Sequence, residues 1–258
     1  MRTANPVLNE NTFAAAPSYG AASSMTIQGV VNKTAILLFI LGACAYYVWQ
    51  KVLQPLPLLA EEQVIARGQQ VAPFIMGGVF GGFILGMITA FVRQWSPVTA
   101  PLYAVCEGFF LGGISAYFEI AYPGIVGQAI LLTFGTLLSL LMAYKSGVIK
   151  VTDNFKLGIV AATGGIALFY LLTMILGFFK IQVPVVYAST PIGIAFSFFV
   201  VVIAALNLVL DFDFIEQGAR AGAPKYMEWY GAFGLIVTLV WLYIEILRLL
   251  AKLRDNRR

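Results

Sequence analysis

The sequence predicts an all-α membrane protein, a bundle of seven transmembrane helices, and three observations carry that prediction. Of its 258 residues 60% are hydrophobic and only 11% charged, where a soluble domain carries about 25% charged residues. The mean hydropathy is +0.87, which suits a chain that crosses a bilayer repeatedly. Behind a polar start come seven apolar runs, each near the roughly 20 residues needed to span the hydrocarbon core.

Residues 1–30 are rich in Ala, Ser, Asn and Pro, with no basic region leading directly into an apolar stretch. They read as a flexible polar tail rather than a signal peptide, and residues 31–258 as a single transmembrane domain. The first run covers residues 34–52 and ends in Tyr46, Tyr47 and Trp49, aromatics suited to a membrane interface. A proline-bearing linker over 53–70 follows. The second run spans residues 72–92, the third 98–117, the fourth 125–144, the fifth 157–179, the sixth 187–210 and the seventh 230–250. The loops are short, so consecutive helices are expected to be antiparallel neighbours.

Within the second run Gly78, Gly82 and Gly86 recur every four residues, a face that lets another backbone approach closely. Pro191 is compatible with a first-turn proline or with a kink. Seven spans place Arg2, Lys33, Arg93, Lys145, Lys150, Lys156, Arg220 and Lys225 on the side of the N-terminus, and Lys51, Arg67 and Lys180 opposite. Eight against three favours a cytoplasmic N-terminus. The basic C-terminal residues Arg248, Lys252, Arg254, Arg257 and Arg258 leave the side of the C-terminus open, since a re-entrant last segment would bring them to the inner side.

Several functions are excluded or disfavoured. The chain has no histidine, so a histidine triad, a histidine-ligated zinc site and a histidine pH switch are ruled out. It also lacks the GxSxG of serine hydrolases and the GxGD of intramembrane aspartyl proteases, and no enzyme activity or cofactor is expected. The net charge of +4 sits mostly between or beyond the apolar runs, a pattern for lipid headgroups rather than nucleic acid. Cys44 and Cys106 lie inside apolar runs and read as small packing residues.

Any proton sensing therefore falls to carboxylates. Asp211 closes the sixth run and Glu245 sits late in the seventh; an acid in such surroundings is costly to keep ionised and is a functional candidate by default. Two carboxylates that meet share a proton and offer hard oxygen ligands of the kind Ca²⁺ prefers. Protonation would then be the local event and helix separation the bistable element. Simple antiparallel geometry, however, puts Asp211 and Glu245 near opposite faces, and a meeting requires the sixth helix to continue past Asp211 or a long excursion before the seventh. Arg248, three residues after Glu245, is within helical reach of it and reads either as a neutralising partner or as a snorkelling interface residue. Glu107, in mid-run among glycines, suggests a pore-lining or hydrogen-bonded role. Arg93 closes the second run as a loop arginine or a partner for one of the acids. Asp213, Glu216, Glu228, Glu119 and Asp153 read as solvated loop residues.

The stretches LVLDFDFIE (208–216) and LVWLYIEILRLL (239–250) resemble the last two helices of the transmembrane Bax inhibitor motif family. Asp211-Phe212 matches the family's aspartate-phenylalanine step, and Leu242-Tyr243-Ile244-Glu245 its Leu-Tyr-Leu-Asp pattern, with Glu in place of Asp and Arg248 where Asn is usual. RTANPVL (2–8), NKTAILL (32–38) and APKYMEWYGAFGL (223–235) are similar to a bacterial branch. The resemblance implies a bacterial inner-membrane protein whose last helix is central to the bundle. It implies a pH-sensitive calcium leak channel gated by protonation of an acidic pair, here Asp211 and Glu245, which would also be transient Ca²⁺ ligands. Arg93 is the nearest match to an arginine that latches the sixth-helix aspartate. A non-conducting regulator that binds a membrane protease or another membrane partner is the competing expectation.

Overall fold

The computed structural model describes residues 24–53, 61–180 and 188–256. The first 23 residues of the expected tail, the matched stretch 2–8, residues 54–60 of the linker, and Arg257 and Arg258 lie outside them, as does the Arg67 side chain. Seven helices are long and apolar enough to cross a membrane, as the sequence predicts: α1 Ile27–Leu53, α2 Glu61–Phe91, α3 Ser96–Ala121, α4 Ile125–Lys145, α5 Asp153–Phe178, α6 Pro191–Arg220 and α7 Met227–Asp255. A 3-10 turn, Arg93–Trp95, joins α2 to α3. In α7, 67% of the most apolar window is buried, against 11–50% in the other six.

Several boundaries move outward. Helix α6 continues ten residues past Leu210, because the polar end of the segment is paired rather than solvated. Lys156 meets Asp213 at 2.7 Å, Tyr144 donates to Glu216, and Arg220 pairs with Glu216 one turn back. Helix α1 begins at Ile27, inside the expected tail, and residues 61–70 of the expected linker are helical. Asp153 lies in the first turn of α5 behind the cap Thr152, and Glu119 in the last turns of α3. Pro191 is a first-turn proline: Thr190 caps α6 by accepting from the Gly193 N–H at 3.2 Å, and the fixed φ of proline suits that position.

Contacts gather the described residues into two units, one of 24–123 with 222–236, the other of 124–221 with 237–256. In the first, α1 and α2 each pack on α3 where glycines let backbones touch. A Cβ on Gly78 would stand 2.6 Å from the Cys106 carbonyl oxygen, and one on Gly108 2.6 Å from that of Leu41. Gly78 thus serves close packing, as its spacing suggested. Gly108→Leu is expected to cost about 1–3 kcal/mol through overpacking, read by thermal unfolding in detergent. Gly77→Ala, which meets nothing within 4 Å, should be neutral or stabilising; equal losses in both variants would contradict this packing. In the second unit α4 and α5 each lie on α6. Ile166, Val200 and Ile203 form its core, with Tyr170, Phe196 and Trp241 packed around them.

Candidate functional site

Asp211 lies inside α6, nine residues before its end at Arg220 and only 1% exposed. One turn earlier Asn207 donates to Thr163 Oγ1 at 2.9 Å and to the Ile203 carbonyl at 2.8 Å, so the α5–α6 contact here carries a polar crossing. Glu245, in α7, is 2% exposed. Arg248 Nη1 reaches its two carboxylate oxygens at 3.0 and 3.1 Å. The Tyr170 hydroxyl, from α5, donates to the same oxygens at 3.1 and 3.2 Å and accepts from Arg248 Nη1 at 2.8 Å. The guanidinium also lies 5.3 Å from the centre of the Tyr170 ring, a cation–π geometry. Of the two roles open to Arg248, the structure places it as the ion-pair partner.

Two internal rulers fix the relative depth of the acids. Lys252 Nζ donates to the Gly193 carbonyl at 3.1 Å, and Ser189 to Asp255 at 3.1 Å, which sets the antiparallel register of α7 on α6. Seven residues back from Lys252 is Glu245, and seven on from Gly193 is Val200. The register of α5 on α6, set by Thr163 with Asn207 and Lys156 with Asp213, gives the same level: seven on from Thr163 is Tyr170, and seven back from Asn207 is Val200. Val200 lies eleven residues from Asp211, or about 16 Å along the helix. A hydrogen bond needs about 3 Å.

That separation corrects the expected acidic pair. The sixth helix does continue past Asp211, but α7 also starts earlier and runs deeper, so the two carboxyls stay at different levels. At that spacing along the helices the two carboxyls stand too far apart to hydrogen-bond to each other. Among the described residues no three Asp, Glu or Cys side chains cluster as a metal site.

Arg93 and Glu107 belong to the other unit. The Arg93 guanidinium stands 6.0 Å from the Tyr230 ring centre. Glu107 is half-buried, hydrogen-bonded to Tyr103, and its Oε1 lies 3.2 Å from where a Cβ on Gly82 would be. The α2 glycine stripe therefore leaves room for this acid as well as for the α3 backbone.

Nearly all of the chain, residues 5–255, matches a family model described as Bax inhibitor 1 like. The chain belongs to the Bax inhibitor 1 like family. No curated protein and no solved structure matches it. Membership fits the apolar seven-helix architecture; Asp211 and the Glu245–Arg248–Tyr170 cluster are read from this chain's own side chains.

Two features of this Bax inhibitor 1 like chain escaped sequence reasoning. Tyr170 stands in the apolar run LFYLLT, and the only hint was a hydroxyl with no local partner. Glu228, expected to be solvated, is fully buried. It pairs with Lys33 and Lys225, each at 2.8 Å, and accepts from the Thr26 N–H at 3.0 Å and the Thr26 hydroxyl at 2.9 Å. Thr26 in turn accepts from the Gly29 N–H at 2.9 Å. This is a capping box completed by an acid 202 residues away. Gly29 occupies the position where the box normally has its own glutamate, and a Cβ there would collide with the Glu228 carboxylate. The visible signals were the Lys225–Glu228 spacing and a threonine cap whose third helical residue is glycine.

Proposed function

We propose that the protein is a pH-sensitive calcium leak channel of a bacterial inner membrane, with its N-terminus cytoplasmic. The single observation that carries this reading is Asp211, a carboxylate 1% exposed in a membrane-spanning helix and about 13 Å from that helix's end. An acid at that depth is retained at a cost, and ion paths and proton relays are the uses that offset it. Asp211 serves as proton sensor and cation station, and Glu245 as a second, separate station in the same unit. Calcium is the permeant ion, and the protein acts without a catalytic centre or cofactor. Family membership supports the reading at the level of a Bax inhibitor-like membrane protein.

Calcium flux into liposomes containing only the purified protein tests it. A leak that falls at least tenfold in Asp211→Asn supports the assignment; a leak unchanged in both Asp211→Asn and Glu245→Gln removes it. A second reading, a non-conducting regulator that docks a membrane protease or other membrane protein, is favoured by one observation. Glu245 is already matched by Arg248 and Tyr170, as a staple between α5 and α7 would be. Recovery of one stoichiometric crosslinked partner, with no flux from the purified protein, would select that reading.

A further inference from the structure

We propose that Arg248 is a tethered cation that fills the ligand sphere of Glu245 and keeps divalent cations out of that station. The inference rests on the conduction reading above and adds its regulation. Three observations carry it. The guanidinium places one nitrogen on both carboxylate oxygens, at 3.0 and 3.1 Å, the positions a bound cation would claim. Tyr170 clamps it from a different helix, by a 2.8 Å hydrogen bond and by its ring face. The Arg248 side chain is 33% exposed while Glu245 is 2% exposed, so the arginine reaches the protein surface where the acid does not.

The other charged group near the acid does not replace it. Lys252, one turn on, is buried and bonded to the Gly193 carbonyl of α6. Arg and Glu together are neutral, so the station attracts no further cation while the pair is closed. Swinging Arg248 outward exposes a bare carboxylate and switches the station on. Tyr170 sets how readily that happens, since its hydroxyl bridges both partners and charge-assisted bonds are the strong ones.

The experiment uses the full chain in liposomes loaded with a calcium dye, paired with thermal unfolding in detergent with and without calcium chloride. Arg248→Ala is expected to raise the leak roughly tenfold, equivalent to about 1.4 kcal/mol, and to gain a calcium-dependent rise in Tm that wild type lacks. Adding Glu245→Gln should abolish both gains. Tyr170→Phe, which keeps the ion pair, should raise the leak by less, and Arg248→Lys, which keeps the charge but not the guanidinium contacts, should raise it by less than Arg248→Ala. If Arg248→Ala does not fold, Tyr170→Phe carries the test alone, and its leak must exceed that of wild type. An Asp211-dependent leak that is unchanged or reduced in Arg248→Ala and Tyr170→Phe overturns the plug and leaves conduction standing. Absence of flux from every variant, with no calcium-dependent Tm gain in Arg248→Ala, overturns both.

Discussion

Lys33→Met combined with Lys225→Met is expected to cost about 3–5 kcal/mol of stability, because it strands a buried carboxylate without its cations. The penalty arises at Glu228, which is fully buried, rather than at the lysines, which keep 23% and 52% of their side chains exposed. Each single substitution should cost much less than half, since the remaining lysine still neutralises the acid. Adding Glu228→Gln to the double variant should recover most of the loss, because an amide oxygen still accepts from the Thr26 N–H and hydroxyl with no charge left to compensate. Chemical denaturation in detergent reads all three, and strong non-additivity is the signature of a single network. Additive, sub-kilocalorie effects would show Glu228 to be an ordinary surface acid. Gly29→Ala should mimic the damage with every charge intact, by displacing the carboxylate.

The second large effect concerns Asp211 and proton concentration. Ionised, its carboxylate is a negative station within the apolar interior; protonated, it is neutral and attracts no cation. In the proposed channel, acidification is expected to fill the site with a proton and lower the calcium leak, and a rise in pH to restore it. Asp211→Asn fixes the neutral state at every pH, so its leak should be low and flat. Because Glu245 lies about 16 Å further along, Glu245→Gln should change the leak without shifting the pH at which Asp211 titrates. A pair sharing one proton would instead titrate as a unit, and either substitution would move the profile.

The spans were legible because the membrane imposes a length and a composition that hydropathy reports directly. Every predicted run coincides with a helix, and the glycine stripe correctly announced the close approach of α2 to α3. What hydropathy could not show is where a helix stops, since the backbone hydrogen-bond ladder continues wherever the side chains find partners. That is why α6 runs on through DFDFIEQGAR, whose acids are held by Lys156, Tyr144 and Arg220. The site was half legible. The two acids stand out in sequence, and both prove buried, yet their relative depth depends on register between helices, which no local pattern encodes. Arg248 was visible because its partner is three residues away. Tyr170 was not, because its partners lie on another helix, and of the Glu228 cluster only Lys225, three residues away, was within local reach, while Thr26 and Lys33 come from the other end of the chain.

The most direct measurement is the pH profile of calcium leak from liposomes containing wild-type protein or Asp211→Asn, at constant ionic strength. Wild type is expected to leak more as pH rises, through a single transition that Asp211→Asn abolishes. A wild-type leak that is absent at all pH values, or an Asp211→Asn profile that overlays the wild-type curve, would contradict the account.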